Sequence, residues 1–462
     1  MSTSQEIVEA ALNASVADGC VVIAAETTET NLRWANNNLT TNGQMSFRTL
    51  TVVSVVDGDR AGVETGVVTS LDEAAELVRS ADAAARNAAP SDEASPLVEP
   101  YEHDDDWKAD TPGTSAAIFE GFAPALAQAF EQCERDELKL FGFAEHRMTS
   151  TFLGTSTGLR RRFDQPTGHV MITGKSPDLS RSAWIGSPTR DFTEVDLPAE
   201  VDRLRQRLEW AESKIELPPG RYETILAPAA VADLVVHAYV EADARRADEG
   251  RSVFASTAGG GNRIGERLSD LPLCLYSDPA EHGLECAPFD IVTGSVLTSG
   301  MQSVFDNGQP VSATRWVEDG RLANLVRSRS WARQTGTKPQ PFITNVMLSG
   351  GEGGPSLDDM VAGTERGLLV MSLWYLREVD PKSLLLTGLT RDGVYLVENG
   401  RVRGAVNNFR FNESPIDLLG RLTEVGRTEP TLGRESHDFL SRTAMPPIRV
   451  PDFTMSSVSQ AS

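Results

Sequence analysis

The sequence predicts an α+β fold: an N-terminal α/β domain over residues 1–217, a mainly antiparallel β C-terminal domain over 218–455, and a disordered tail at 456–462. Three observations predict it. Helix-period and strand-period segments alternate up to residue 217; from Leu273 onward short apolar runs lie between Gly, Asn and Pro turns; and Leu217-Pro218-Pro219-Gly220 is a strong helix stop between the two regimes. A chain of 462 residues is also too long for one ordinary core, and 40% hydrophobic residues supply apolar surface for two.

Taken in order, a helix is expected at 4–18, then the apolar strand Val21-Val22-Ile23-Ala24 and alternating strands through Leu50–Val56, turned at Asp57-Gly58-Asp59. Leu71-Asp72-Glu73-Ala74 opens an Ala-rich helix that stops near Ala89-Pro90. Residues 90–115 read as a loop, because Pro90, Pro96, Pro100 and Pro112 each interrupt a helix; the acidic His103-Asp104-Asp105-Asp106 in it is more simply a solvated run than a metal site. A helix at 115–136 leads into strands Leu138–Phe143, His146–Phe152 and His169–Thr173, a meander turned at Thr155-Ser156-Thr157-Gly158. Val201, Leu204, Leu208, Ala211 and Ile215 recur at helical spacing and give a charged helix one apolar stripe. Past the boundary come the strand Tyr222–Leu226 and a helix with Pro228 at its first position, running from Val231 to Arg246. Val394–Val397 and Val402–Val406 flank Glu398-Asn399-Gly400-Arg401, and Asn-Gly is the pair a type I′ hairpin turn prefers.

Charge and targeting signals narrow the function. A formal charge of −23 repels phosphate backbones and anionic lipid, so neither nucleic acid nor a membrane surface is an expected partner. The N-terminal Met-Ser-Thr-Ser-Gln-Glu lacks the basic and apolar regions of a signal peptide, and the most apolar run, Leu368–Leu376, is about half the length a spanning helix needs. Cys20, Cys133, Cys274 and Cys286 form no C-x-x-C pair, which fits reduced thiols and a cytoplasmic protein.

Few residues carry obvious chemistry. Gly154-Thr155-Ser156-Thr157-Gly158 matches G-x-S-x-G, yet a nucleophile elbow must open a helix and strand-like sequence follows, so Ser156 reads as a turn residue. The Gly-rich runs Ala258–Asn262 and Ser349–Gly354 match neither a Walker nor a dinucleotide pattern. Thr390-Arg391-Asp392-Gly393 precedes a strand, and a hairpin would bring Arg391, Asp392, Asn408 and Arg410 into one neighbourhood. There they could grip a peptide backbone or, as paired charges in a β domain more often do, stabilise the end of a sheet.

The stretch Leu386-Thr387-Gly388-Leu389-Thr390-Arg391-Asp392-Gly393, continuing through Glu398-Asn399-Gly400 to Asn407–Pro415, resembles the C-terminal signature of the TldD/PmbA family. Weaker similarities at Asn31–Asn37, Thr155–Gly158 and Pro218–Tyr222 extend the resemblance over nearly the whole chain. Catalytic members are zinc metalloproteases in which an H-E-x-x-x-H helix and a tail Cys hold the metal and the Glu takes a proton from its water. The resemblance places that helix at Val231–Gly250, ahead of Gly250-Arg251-Ser252-Val253-Phe254, and counting back puts the two His positions on Val235 and Val240 and the Glu position on Val236. No His-Glu dipeptide occurs in the chain, and no Cys lies between Gly433 and Ser462.

The resemblance therefore implies the PmbA (TldE)-like branch. That means a non-catalytic subunit with no metal or cofactor of its own, paired with a TldD-like catalytic paralogue that carries zinc, in a complex that cleaves unfolded or modified peptides. Two alternatives remain open: a stand-alone peptide-binding or scaffold protein, and a divergent metallopeptidase using His237, Glu241 and His437, the first two sharing a helix face. Cys274, His282 and Cys286, in a loop similar to the family's D-P…G…P-F-D segment, form a further conceivable ligand set, with structural thiols the simpler reading.

Overall fold

The computed structural model describes residues 2–101, 106–294 and 301–459; His103-Asp104-Asp105 and the tail from Gln460 lie outside the described residues. The N-terminal domain is built on one antiparallel sheet of β1 (Gly19–Ala35), β2 (Asn38–Val56), β3 (Arg60–Val67), β4 (Lys139–Thr155), β5 (Arg160–Lys175) and β6 (Ser182–Thr189), in the order β3-β2-β1-β4-β5-β6. Its helices are α1 (Ser4–Ala14), α2 (Leu71–Asn87), α3 (Phe122–Arg135) and α4 (Leu197–Trp210). The strands are longer than their apolar runs suggest. β1 and β2 form one hairpin, turned by Asn36 and Asn37 at φ 53° and 60°, and the two strands expected between Leu138 and Phe152 are a single β4.

Alternation sorts the two faces of this sheet. Val22, Ala24, Leu50, Val52 and Phe152 pack under α1 and α2, while Leu32, Trp34, Leu140, Val170 and Ile172 pack under α3 and α4. Val21, Ile23, Val53 and Leu153 point the other way and meet Phe289 and Phe305 of the C-terminal domain. Capping boxes at Thr3/Glu6 and Ser70/Glu73 start α1 and α2 by satisfying their first free amides.

The C-terminal domain comprises β7 (Lys214–Ile215), β8 (Gly220–Leu226), β9 (Cys274–Ser277), β10 (Thr314–Glu318), β11 (Arg321–Leu322), β12 (Val346–Ser349), β13 (Arg366–Val370), β14 (Leu373–Asp380), β15 (Leu385–Thr390), β16 (Val394–Glu398), β17 (Arg401–Val406), β18 (Phe409–Glu413), β19 (Glu424–Val425), β20 (Glu429–Thr431), β21 (Thr443–Met445) and β22 (Ile448–Val458). Its helices are α5 (Pro228–Val240), α6 (Ala244–Asp248), α7 (Arg329–Thr335), α8 (Leu357–Ala362) and α9 (Pro415–Leu419). One sheet runs β14-β15-β18-β22-β8-β13-β16-β17-β7 with β19 on β22, and a second runs β11-β10-β9-β12-β21-β20. Among the named strands of the described residues only β8/β13, β7/β17 and β12/β21 pair in parallel, as the mainly antiparallel expectation requires. α5 is central to this domain: ten of its thirteen residues are buried, eight of them in the largest apolar cluster.

Four local expectations change. α1 ends at Ala14. The stripe helix stops at Trp210, and Ile215 joins β7, whose pairing with β17 draws the C-terminal sheet back across the Leu217–Gly220 break. The helix expected through Arg246 is interrupted at Glu241, because Asp243 leaves helical geometry to cap α6 by accepting from the Arg245 and Arg246 amides. Ser456–Val458, expected in the disordered tail, extend β22 beside β18. No helix among the described residues is long and apolar enough to cross a membrane.

Candidate functional site

Pro228 begins α5 at the position where a missing amide proton costs nothing, and the helix then runs almost wholly apolar through Val231–Tyr239. Val235 and Val236 are 6% and 1% exposed. Val235 joins Tyr239, Trp316 and Leu419 around a small apolar cavity of about 30 Å³, and Val240 packs at the edge of the same core. The zinc that the resemblance implies for catalytic members does not fit here. Val235, Val236 and Val240, the positions to which the resemblance assigns the ligands and base, offer only methyl groups, and methyl groups neither ligate a cation nor take a proton from its water.

The other proposed ligand sets are not assembled. Glu241 turns away at the C-terminus of α5 and pairs with Arg246. His437 directs Nδ1 to the Gly433 carbonyl at 3.0 Å, its ring 5.7 Å from that of His169. His237 is largely buried; burial pushes its pKa down, with Glu435 opposing and Arg377 reinforcing the shift. Cys274 lies on β9 and Cys286 is buried, and burial raises both thiols. Among the described residues no three His, Cys, Asp or Glu side chains converge as a metal site, so neither His237/Glu241/His437 nor Cys274/His282/Cys286 forms one. Ser156 sits in the β4–β5 turn with its Oγ accepting from the Cys20 amide at 3.0 Å, a turn role and not a nucleophile's.

What α5 does carry is Asp233, fully buried inside the apolar run. Its Oδ1 accepts from the Glu435 amide (3.1 Å), the Ser436 amide (3.0 Å) and Ser436 Oγ (2.9 Å), and its Oδ2 from the Arg434 amide (3.3 Å). Burial raises its pKa to about 6 against these hydrogen bonds. Gly433 makes the approach possible: a Cβ there would collide with Ser436 Oγ and stand 2.8 Å from Asp233 Oδ1. The helix and the C-terminal segment are thus tied by a carboxylate and amides.

Arg434, held by this loop, is the hub of a second cluster. Its guanidinium lies between the rings of Trp184 and Trp374, 5.3 and 5.2 Å from their centroids, and donates to Asp392 Oδ2 (2.7 Å), Ser372 Oγ (3.2 Å) and the Arg391 carbonyl (3.2 Å). Ser182 of β6 donates to the other Asp392 oxygen. Burial acts to raise the Asp392 carboxyl, but Arg434 and Ser182 outweigh it and hold it below the usual range. Arg391, more exposed, stands 3.6 Å from Asp392.

The expected neighbourhood of Arg391, Asp392, Asn408 and Arg410 forms in part. β15 pairs with β18, not with the adjacent β16, so Leu389 lies opposite Arg410 and Thr390 Oγ1 accepts the Phe409 amide at 2.9 Å. Arg410 turns outward to Thr387 Oγ1 at 3.3 Å, and the Asn408 carbonyl accepts from Ser459. Asp392 instead turns inward to Arg434 and the N-terminal domain. Sequence reading missed Asp233 and Arg434. A lone carboxylate in an otherwise apolar helix was the available signal for the first; nothing local marks the second.

The fold is that of a two-domain α+β protein whose central helix, α5, carries valine at the three positions to which the sequence resemblance assigns the zinc ligands and the base. Residues 219–457, just over half of the chain, match the family model described as the PmbA/TldA metallopeptidase C-terminal domain, and the chain belongs to that family. Similar solved structures are TldE from Thermococcus kodakarensis (TM-score 0.79, 18% identity, covering 97% of this chain and 98% of that one) and a proposed DNA gyrase modulator from Bacteroides thetaiotaomicron (0.76, 15%, 99% and 100%). A proposed DNA gyrase modulator from Thermotoga maritima is similar as well (0.73, 16%, 94% and 95%). At these identities the likeness establishes the fold. Comparison with curated protein sequences finds no match.

Proposed function

We propose that this chain is the non-catalytic subunit of a TldD/TldE-type metalloprotease complex in the cytoplasm, contributing wall and substrate-holding surface to a chamber whose zinc belongs to a TldD-like paralogue. The observation that carries this reading is α5: valine stands at the three positions to which the resemblance assigns the ligands and base, and Asp233 ties the helix to the Arg434–Ser436 segment. The substrates would be unfolded or modified peptides, held as extended backbone. Likeness in fold to a TldE supports the assignment to that branch.

The test is co-expression with a neighbouring paralogue that carries H-E-x-x-x-H. A stable heteromer with zinc confined to the paralogue, and peptidase activity that needs both chains, is the expected result. About one zinc per chain in the isolated protein, or chelator-sensitive peptide cleavage by it alone, would overturn the proposal.

A further inference from the structure

We propose that the polar cavity at the end of the β9–β10 ladder binds a free α-amino acid with a polar side chain, its carboxylate on Arg315 and its ammonium on Asp278. The cavity measures about 520 Å³, opens to solvent, and has Tyr276, Asp278, Ser312, Arg315, Asn324 and Gln340 in its wall. Small-molecule sites run from roughly 300 to 1,000 Å³, whereas the apolar cavity beside Val235, at about 30 Å³, has room for about one water. The polar cavity takes no residue from α5 or the Arg434 cluster, so the site stands apart from the peptidase reading.

β9 and β10 pair antiparallel, with Arg315 opposite Tyr276 and Thr314 opposite Ser277, and there the ladder ends. Asp278, the next residue of the chain, is held from both sides by the fully buried Asn345: its amide donates to Asn345 Oδ1 at 3.1 Å, and its carbonyl accepts from Asn345 Nδ2 at 2.6 Å. Ser277 anchors the same turn to the core by accepting from Trp316 Nε1 at 2.9 Å. Tyr276 lies on Leu284, Met347 and Ala444. Burial, followed by Glu281, Cys274 and Asp278, pushes its phenol pKa up, so it remains a hydrogen-bond donor at neutral pH. Groups fixed before a ligand arrives cost it little ordering.

The charges in the wall select the ligand. Asp278 and Arg315 line one cavity without pairing with each other. Arg315 gives Nη1 to Glu318, which leaves Nε and Nη2, the two prongs of a fork that matches a carboxylate. Asp278 accepts the Ala280 amide on Oδ1 at 2.9 Å, and its Oδ2 receives no bond from a described residue. A dicarboxylate would be repelled by Asp278 and a diamine by Arg315, while a neutral sugar would leave both charges uncompensated. A zwitterion answers both and, having no net charge, is not repelled by a chain of −23. Asn324 Nδ2 donates to the Arg315 carbonyl at 2.8 Å, and Gln340 Oε1 accepts from Thr314 Oγ1 at 3.4 Å. An amide oxygen of the first and an amide nitrogen of the second therefore remain for the ligand's polar side chain.

Isothermal titration calorimetry of the full chain with L-glutamine is expected to give a dissociation constant of about 1 mM or tighter. N-acetyl-L-glutamine, which lacks the ammonium, and L-glutamine amide, which lacks the carboxylate, should each bind at least roughly tenfold more weakly, and L-leucine should also bind more weakly than L-glutamine. Asp278→Asn and Arg315→Gln should each weaken L-glutamine at least roughly tenfold, and Arg315→Gln should no longer distinguish L-glutamine from its amide. Arg315 is exposed, so its replacement is expected to leave the melting temperature within about 2 °C, and this variant decides should Asp278→Asn fail to fold. No binding of L-glutamine at about 10 mM, equal affinity for it and both blocked analogues, affinity indifferent to both substitutions, or a preference for glucose would each overturn the proposal.

Discussion

Asp233 sets burial against hydrogen bonding, and its titration reports which wins. An aspartate in an unfolded chain releases its proton near pH 4, whereas burial holds the folded group to about pH 6. Between these values the folded state binds more protons than the unfolded one, so stability from this residue falls as pH rises from about 4 to 6 and is level above. Asp233→Asn removes the titration, so its stability relative to wild type should improve by on the order of 3 kcal/mol between pH 4 and pH 7, measured by urea unfolding. An unchanged difference would mean that the four donors keep the carboxylate ionised throughout. The same logic assigns Asp392 to its real partner. Arg434→Ala leaves that largely buried carboxylate without its main cation and should cost on the order of 3–5 kcal/mol in thermal unfolding, against about 1 kcal/mol or less for the more exposed Arg391→Ala.

At the scale of elements, α5 shows why a lost site is not regained by restoring its letters. Val236 is 1% exposed within the apolar cluster, so Val236→Glu buries a carboxylate with no cation beside it. The triple change Val235→His, Val236→Glu, Val240→His is therefore expected to destabilise the chain by several kcal/mol and to bind no stoichiometric zinc, checked by melting and elemental analysis. The Asn-Gly hairpin, the start of α2 and most of this helix were legible in the sequence because their causes are local. The Asn399-Gly400 turn, with φ of 51° and 71°, needs only its own two residues, and Ser70 with Glu73 suffices to start α2. The β15–β18 pairing was not legible, since Thr390 meets Phe409 across an intervening hairpin that belongs elsewhere in the sheet. Asp392 misled for the same reason: its partners Ser182 and Arg434 lie 210 and 42 residues away in the chain.

For the whole molecule the question is what holds two acidic domains together. Phe289 and Phe305 insert against β1 and β2, Arg434 bridges Trp184 and Trp374, Tyr101 donates to the Gly308 carbonyl at 2.9 Å, and Gln165 to the Glu285 carbonyl at 3.0 Å. These contacts are short-ranged and mostly sheltered, so salt weakens them little, whereas the repulsion among the charges behind a formal −23 acts through solvent and is screened within about 10 Å at 0.1 M. Raising sodium chloride from about 10 to 150 mM should therefore raise the melting temperature, by roughly 2 °C or more. The loss caused by Arg434→Ala should be the same at both salt concentrations, because its bond to Asp392 is only 11% and 15% exposed at the two side chains. A melting temperature that falls with salt would show instead that the many exposed Arg–carboxylate pairs, such as Arg190–Glu285 and Arg205–Asp136, outweigh the net repulsion.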